Sequence, residues 1–289
     1  MDRIVLNFFT LLRYRFMLIA GLLPYILGAV ISFYLRERFD ISLFFTGLAG
    51  ILFALIGVEC FNEFFDWKLG SDRVFQLNQK PVENSTFFLG IGAFFIALLI
   101  GIFLTMKSGF PIIIFSVIGF LAAFFYLGPP FRFTYRGLGE IVISLSYGPF
   151  MTLGSYYLQA QQIDILPIFV SLIPAILLFA ISIMNEVPDY FQDKLVGKKN
   201  LCVRLGQKNT VMLYGGIVVL FYIILTFGLL GKKFPPIAWI VFACLPISFL
   251  SFITGIRTYQ NPYRFVSAIR YLIIKYILVM SIFIVGYSQ

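Results

Sequence analysis

Two short acidic windows carry the residues best suited to chemistry. The first is Asn62-Glu63-Phe64-Phe65-Asp66-Trp67-Lys68-Leu69-Gly70-Ser71-Asp72, and the second is Asn185-Glu186-Val187-Pro188-Asp189-Tyr190-Phe191-Gln192-Asp193. Both open on Asn-Glu and set an Asp four residues after the Asn. Residues i and i+4 share a helix face, so Asn62 and Asp66 form one polar row, and Asn185, Asp189 and Asp193 form another. Oxygen donors without His or thiolate neighbours suit a hard cation such as Mg²⁺, which shares its remaining positions with water and phosphate oxygens. Two facing rows would grip a diphosphate through bridging Mg²⁺. Lys68, Arg73, Lys80, Arg132, Arg136, Lys194 and Arg204 fall on the same side of the chain's apolar segments and would neutralise that diphosphate as it leaves. Glu59, one turn before Asn62 on the same face and deeper in its segment, is either a functional group or a packed polar one. Pro188 removes a helical hydrogen bond to Met184 and can tilt the second row inward.

The elements that hold these rows are apolar. The chain of 289 residues is 60% hydrophobic and 12% charged, with 36 Phe. Runs of about 20 apolar residues signal membrane helices, and nine are expected: 13–35, 42–65, 86–106, 110–128, 138–159, 165–190, 210–230, 235–256 and 268–287. The first lacks the short core and cleavage site of a signal peptide. The fold expected is therefore all-α, a polytopic membrane protein with nine transmembrane helices in one bundle. The chain has 3 Cys and no His, which excludes a Cys/His zinc site and histidine acid–base catalysis. Cys60, Cys202 and Cys244 read as small buried apolar residues. Asp2, Glu37, Asp40 and Asp164 read as solvated loop charges. The net charge of +9 is spread over short loops, so it reflects membrane topology rather than nucleic-acid binding.

Most of the 22 Lys and Arg residues fall on the N-terminal side of the nine spans. The opposite side holds Arg36, Arg38, Lys107, Lys232 and Lys233. The positive-inside rule then puts the N-terminus, the long loops and both acidic windows in the cytoplasm, and the C-terminus outside. The host membrane is the cell membrane, crossed many times. Each window ends the second helix of a four-helix half, giving pseudo-repeats at about 1–130 and 131–256 with the ninth helix, at about 268–287, added to the pair. Nothing in the sequence calls for an obligate protein partner.

At these residues the chain resembles the UbiA superfamily of intramembrane prenyltransferases, which carries two Asp-rich motifs on helices 2 and 6 of a nine-helix bundle. The intervening residues look most like its MenA-like branch, which prenylates dihydroxynaphthoate in menaquinone synthesis. The likeness runs through Tyr126-Leu127-Gly128-Pro129-Pro130, Tyr135-Arg136-Gly137-Leu138-Gly139-Glu140 and Gly148-Pro149. It continues in Gly154-Ser155-Tyr156-Tyr157-Leu158-Gln159 and in the stretch from Asp193 to Gly206. Three positions depart from the pattern. Glu63 stands where the first motif usually has Asp, Lys80 replaces a common Arg and loses its fork, and Thr134 stands where a Lys is frequent.

The resemblance implies a polyprenyl diphosphate donor, an aromatic acceptor and two Mg²⁺ ions. The ions would be held by Asn62, Asp66 and Asp72 on one side and Asn185, Asp189 and Asp193 on the other, with Asp66 and Asp189 central to catalysis. Ionisation of the allylic C–O bond would leave a cation that the Tyr126 ring can stabilise. Other acceptors fit the same chemistry: a hydroxybenzoate, a porphyrin-derived alcohol or an isoprenoid glycerol phosphate. A cation-coupled carrier is the alternative from another class, although its polar groups should lie at the bilayer midplane rather than at helix ends.

Overall fold

The computed structural model describes residues 2–69 and 82–289, with side chains from Ile19 onward. Among them every regular element is helical. The long helices are α1 (Asp2–Arg36), α2 (Ile41–Leu69), α3 (Asn84–Ser108) and α4 (Pro111–Leu127). After a 3-10 turn at Phe133–Arg136 comes a helical stretch in three pieces: α5 (Gly139–Leu145), a π-turn at Ser146–Phe150, and α6 (Met151–Ala160). Then follow α7 (Ile165–Leu195), the short α8 (Leu201–Leu205) and α9 (Gln207–Leu230). A 3-10 segment, Pro236–Cys244, leads into α10 (Leu245–Thr258), and α11 (Pro262–Ser288) closes the chain.

Seven of these helical runs are long and apolar enough to cross a membrane, and α4 is apolar but shorter. Every segment expected from the sequence falls on a helical stretch. Length alone does not raise seven crossings to nine, because α4 is short and the 139–160 stretch is divided by its π-turn. Large apolar side chains such as Phe88, Met106 and Phe110 are exposed, where lipid rather than water would satisfy them.

The helices close a ring. Neighbours in sequence touch from α1 to α4, α4 touches α6, α5 touches α7, α7 touches α9, and α9 leads through α10 to α11, which returns to α1. The Tyr276 hydroxyl donates to the Ala20 carbonyl at 2.9 Å and pins that closure. Gly28 lets α1 and α6 meet backbone to backbone, since a Cβ there would lie 2.1 Å from the Thr152 carbonyl oxygen. The densest core surrounds α7, with Ile173, Leu177, Ile181 and Met184 buried among side chains of α9 and α11.

The π-turn has a local cause. Pro149 offers no N–H to the turn before it, and the helix widens by one residue. Gly148 there faces α7, where a Cβ would sit 2.7 Å from the Ala175 backbone. Ser144 donates to the Ala175 carbonyl at 2.8 Å and holds the contact.

At the end away from the acidic windows, two expected loop charges turn out to be structural. Asp164 accepts both nitrogens of the Arg36 fork, at 2.6 and 3.2 Å, and also the Tyr156 hydroxyl. Asp40 receives the Ser42 and Leu43 N–H groups at 2.8 and 2.9 Å and so starts α2. Sequence position alone does not reveal a partner more than a hundred residues away.

Candidate active site

The last turns of α2 and α7 open on one cavity of about 1540 Å³. Asn62 and Asp66 line it from α2, and Asn185, Asp189 and Asp193 line it from α7. Asn62 and Asp66 are shielded, whereas Asn185 and Asp189 are open to the cavity. The fold thus brings five of the six ligands expected from the sequence to one space. Asp72, with Arg73 and Lys80, lies outside the described residues.

Lys198 joins the two rows. Its ammonium lies 3.1 Å from Asp66 Oδ1 and 3.3 Å from Asp193 Oδ1. The turn that delivers it depends on Gly197, whose φ of +77° is a left-handed conformation that suits glycine at a helix end. The Lys198 N–H then returns to the Asp193 carbonyl at 2.9 Å. Burial alone would depress the Lys198 ammonium, but Asp66 and Asp193 outweigh it and hold the group above the ordinary lysine range.

A hydrogen-bonded collar fixes this loop. Asn200 donates to Asp193 Oδ2 at 2.7 Å and accepts the Val203 N–H at 2.8 Å, capping α8. Glu140 of α5, fully buried, accepts the Leu201 N–H at 2.5 Å, and Glu186 of α7 accepts that of Cys202 at 3.5 Å. Arg204 donates to the Lys199 carbonyl at 2.7 Å and to the Arg136 carbonyl at 2.5 Å, tying the α8 loop to the 3-10 turn. Gln207 bonds the carbonyls of Val187 and Tyr259 at 2.9 and 3.0 Å, anchoring α7 in the turn that contains Pro188.

The other proposed diphosphate contacts lie elsewhere. Lys68 is exposed over the Phe64 ring, and Lys194 is exposed over Tyr190. Arg136 donates to the Pro130 carbonyl at 3.3 Å. Arg132, half-buried, begins the 3-10 turn with a left-handed φ of 47°. With Arg204 engaged as described, none of these five lines the cavity. Among the described residues the cation that does is Lys198, which was not among the candidates drawn from the sequence. Its signal was the Gly-Lys pair just past the second acidic row.

Tyr126 lines the cavity within electrostatic reach of Glu186 and Lys198. From beside Asn62 inward the wall is aromatic, and Phe94, Phe115, Phe120 and Phe150 also line it. Phe61 packs against Phe87, Phe94 and Phe124 at centroid distances of 5.3, 5.1 and 5.7 Å. The space is therefore polar at one end and apolar along its length, a shape for an amphiphile with a charged head.

Among the described residues no three His, Cys, Asp or Glu side chains converge closely enough to hold an ion by themselves. The donors at hand are carboxylate and amide oxygens. That set fits Mg²⁺ taken up together with a phosphate ligand and water, not a closed protein cage.

Known proteins share this chain's family and fold. Residues 21–274 match the model of the UbiA prenyltransferase family. A 1,4-dihydroxy-2-naphthoate octaprenyltransferase of Bacillus subtilis (strain 168) is 27% identical over 239 residues, 79% of this chain and 76% of that protein. Among solved structures, the apo form of a UbiA homolog from Aeropyrum pernix K1 superposes with a TM-score of 0.71 at 13% identity, over 93% of this chain and 97% of the other. A UbiA homolog from Archaeoglobus fulgidus bound to GPP and Mg²⁺ gives 0.66 at 17% identity, over 92% and 97%. The chain is a multi-pass membrane prenyltransferase and belongs to the UbiA prenyltransferase family.

Proposed function

We propose that this enzyme transfers a polyprenyl group from an allylic diphosphate to dihydroxynaphthoate, with Mg²⁺ as cofactor. The observation that carries the chemistry is the meeting of both acidic rows in one cavity with a long aromatic wall. The acceptor is supported by the naphthoate-prenylating relative. The proposed architecture has nine crossings, with α4 and the α5–α6 stretch counted as two of them, arranged as two four-helix halves and a ninth helix. The acidic end faces the cytoplasm, and the C-terminus lies outside.

In this reading two Mg²⁺ ions would be held by Asn62, Asp66 and Asp72 of the first row and by Asn185, Asp189 and Asp193 of the second. When bound, Mg²⁺ neutralises the diphosphate and makes it a better leaving group. Lys198 adds a fixed positive charge at the point where negative charge grows during C–O cleavage. Tyr126 presents its ring toward the allylic carbon. The collar around α8 keeps water from trapping the cation as an alcohol, and the phenylalanine wall takes the prenyl tail.

The test is prenyl transfer by the purified full chain with Mg²⁺, geranyl diphosphate and a panel of acceptors. Transfer to dihydroxynaphthoate, abolished by EDTA, by Asp66→Ala and by Asp189→Ala, is the expected result. Transfer to a different acceptor alone would overturn the acceptor assignment. Absence of Mg²⁺-dependent diphosphate binding would overturn the site.

A further inference from the structure

Deeper than the acidic rows, the cavity carries a second polar patch that a diphosphate does not need. We propose that Tyr147 and Glu59 form the subsite that binds a ring hydroxyl of the aromatic acceptor, a proposal that rests on the prenyltransferase reading above. Both residues line the cavity. Tyr147 sits in the π-turn, and its hydroxyl is buried without a hydrogen-bond partner. Buried hydroxyls without partners are rare and unfavourable, and a ligand that supplies one repairs the defect.

The surroundings say which ligand. Tyr147 is within electrostatic reach of Glu59 and Tyr126. Its ring edge lies against Gly21 of α1, where Leu55 of α2 also packs: a Cβ built on Gly21 would be 3.5 Å from Tyr147 Cε1 and 3.4 Å from Leu55, one turn from Glu59. A carboxylate only accepts hydrogen bonds, whereas a tyrosine hydroxyl also donates. A ligand oxygen that meets both side chains donates to Glu59 and completes the Tyr147 hydroxyl by accepting from it. A phenolic hydroxyl does both, an aryl ether can only accept, and a prenyl chain does neither. Glu59 precedes Asp66 by two helical turns, a rise of roughly 10 Å. That leaves room for the allylic carbon between the diphosphate and a ring seated at this depth.

The test uses the full chain in phospholipid nanodiscs and measures equilibrium binding of 1,4-dihydroxy-2-naphthoate and of its dimethyl ether. Mg²⁺-dependent binding of an unreactive allylic thiolodiphosphate is measured on the same samples. The unmodified protein is expected to prefer the free diol over the ether by at least about tenfold. Tyr147→Phe and Glu59→Gln should each shrink that preference below about threefold, with thiolodiphosphate binding changed less than about twofold. Retention of the full preference by both variants would overturn the subsite, and so would equal losses for diol and diphosphate. If the unmodified protein binds the diphosphate without preferring the diol, the subsite falls and the prenyltransferase reading stands. If it binds no diphosphate, both fall.

Discussion

The Lys198 ammonium stands 3.1 Å from a carboxylate oxygen of Asp66, joining the loop after α7 to the end of α2. Its second contact, 3.3 Å from Asp193, makes it the one cation seen to bridge both acidic rows among the described residues. A charge-assisted contact of this kind is worth roughly 1.5–3 kcal/mol. Lys198→Met is therefore expected to lower kcat/KM for the prenyl donor by roughly 10- to 100-fold, with Lys198→Arg recovering part of the loss. Steady-state kinetics at saturating Mg²⁺ would read this. An unchanged kcat/KM with a lowered Tm would reduce Lys198 to a loop tether.

The clasp at the opposite end has a pH signature. Hydrogen bonds from Arg36, then from Tyr156, hold the Asp164 carboxyl below the usual carboxylate range. A depressed carboxylate stabilises the fold above its unfolded value, near 3.9, and the contribution vanishes as pH falls through the folded value. Asp164→Asn should thus lower Tm at neutral pH, and the gap should narrow as pH falls below the unfolded value. The pair is partly open to solvent, with side-chain exposures of 41% and 25%, so the gap should not exceed about 3 °C. Thermal scans of both proteins across pH would show it, and a gap that widened in acid would refute the assignment.

Arg204 carries two backbone carbonyls on one guanidinium. A lysine cannot form that fork. Both Arg204→Ala and Arg204→Lys should speed amide exchange in residues 129–138 and 196–206 while leaving α9 to α11 protected. Turnover should fall by roughly tenfold or less, because the cavity keeps its ligands. Exchange confined to one of the two loops would show that Arg204 does not couple them.

The α1–α6 crossing should be intolerant of even one methyl group. A Cβ on Gly28 would also lie 2.9 Å from the Tyr156 nitrogen, and a helix backbone cannot yield as a side chain can. Gly28→Ala is expected to cost about 2 kcal/mol or more. Gly92→Ala, where nothing lies within 4 Å, should leave Tm unchanged. Equal behaviour of the two variants in detergent melts would contradict the packing.

Much of this site was written in local spacing. The i, i+4 rows of Asn and Asp need only a helix to be aligned, and hydropathy requires helices, so Asn62, Asp66, Asn185, Asp189 and Asp193 could be gathered before any fold was known. The basic residues were harder. Charge sign and membrane side do not say whether a guanidinium meets a phosphate or a carbonyl, and Arg136 and Arg204 were found on carbonyls. Lys198 was missed because its place depends on how the chain turns after Gly197. Glu140 was missed as a functional element because its partner, the Leu201 N–H, lies 61 residues away. The split at Ser146–Phe150 leaves no mark in average hydropathy, though Gly148-Pro149 hinted at it.

That widened turn also acts as a phase shifter. One extra residue in a single turn rotates everything after it by about 100° relative to an unbroken helix. Glu140 ahead of it faces the α8 collar, while Gln159 beyond it meets the Asp40 backbone at 2.7 and 3.1 Å. Removing one residue there would leave the amino-acid composition nearly intact and turn α6 out of step with α1. Insertions and deletions in this helix are thus not interchangeable with substitutions: a single codon sets the angular offset between the two ends of one crossing.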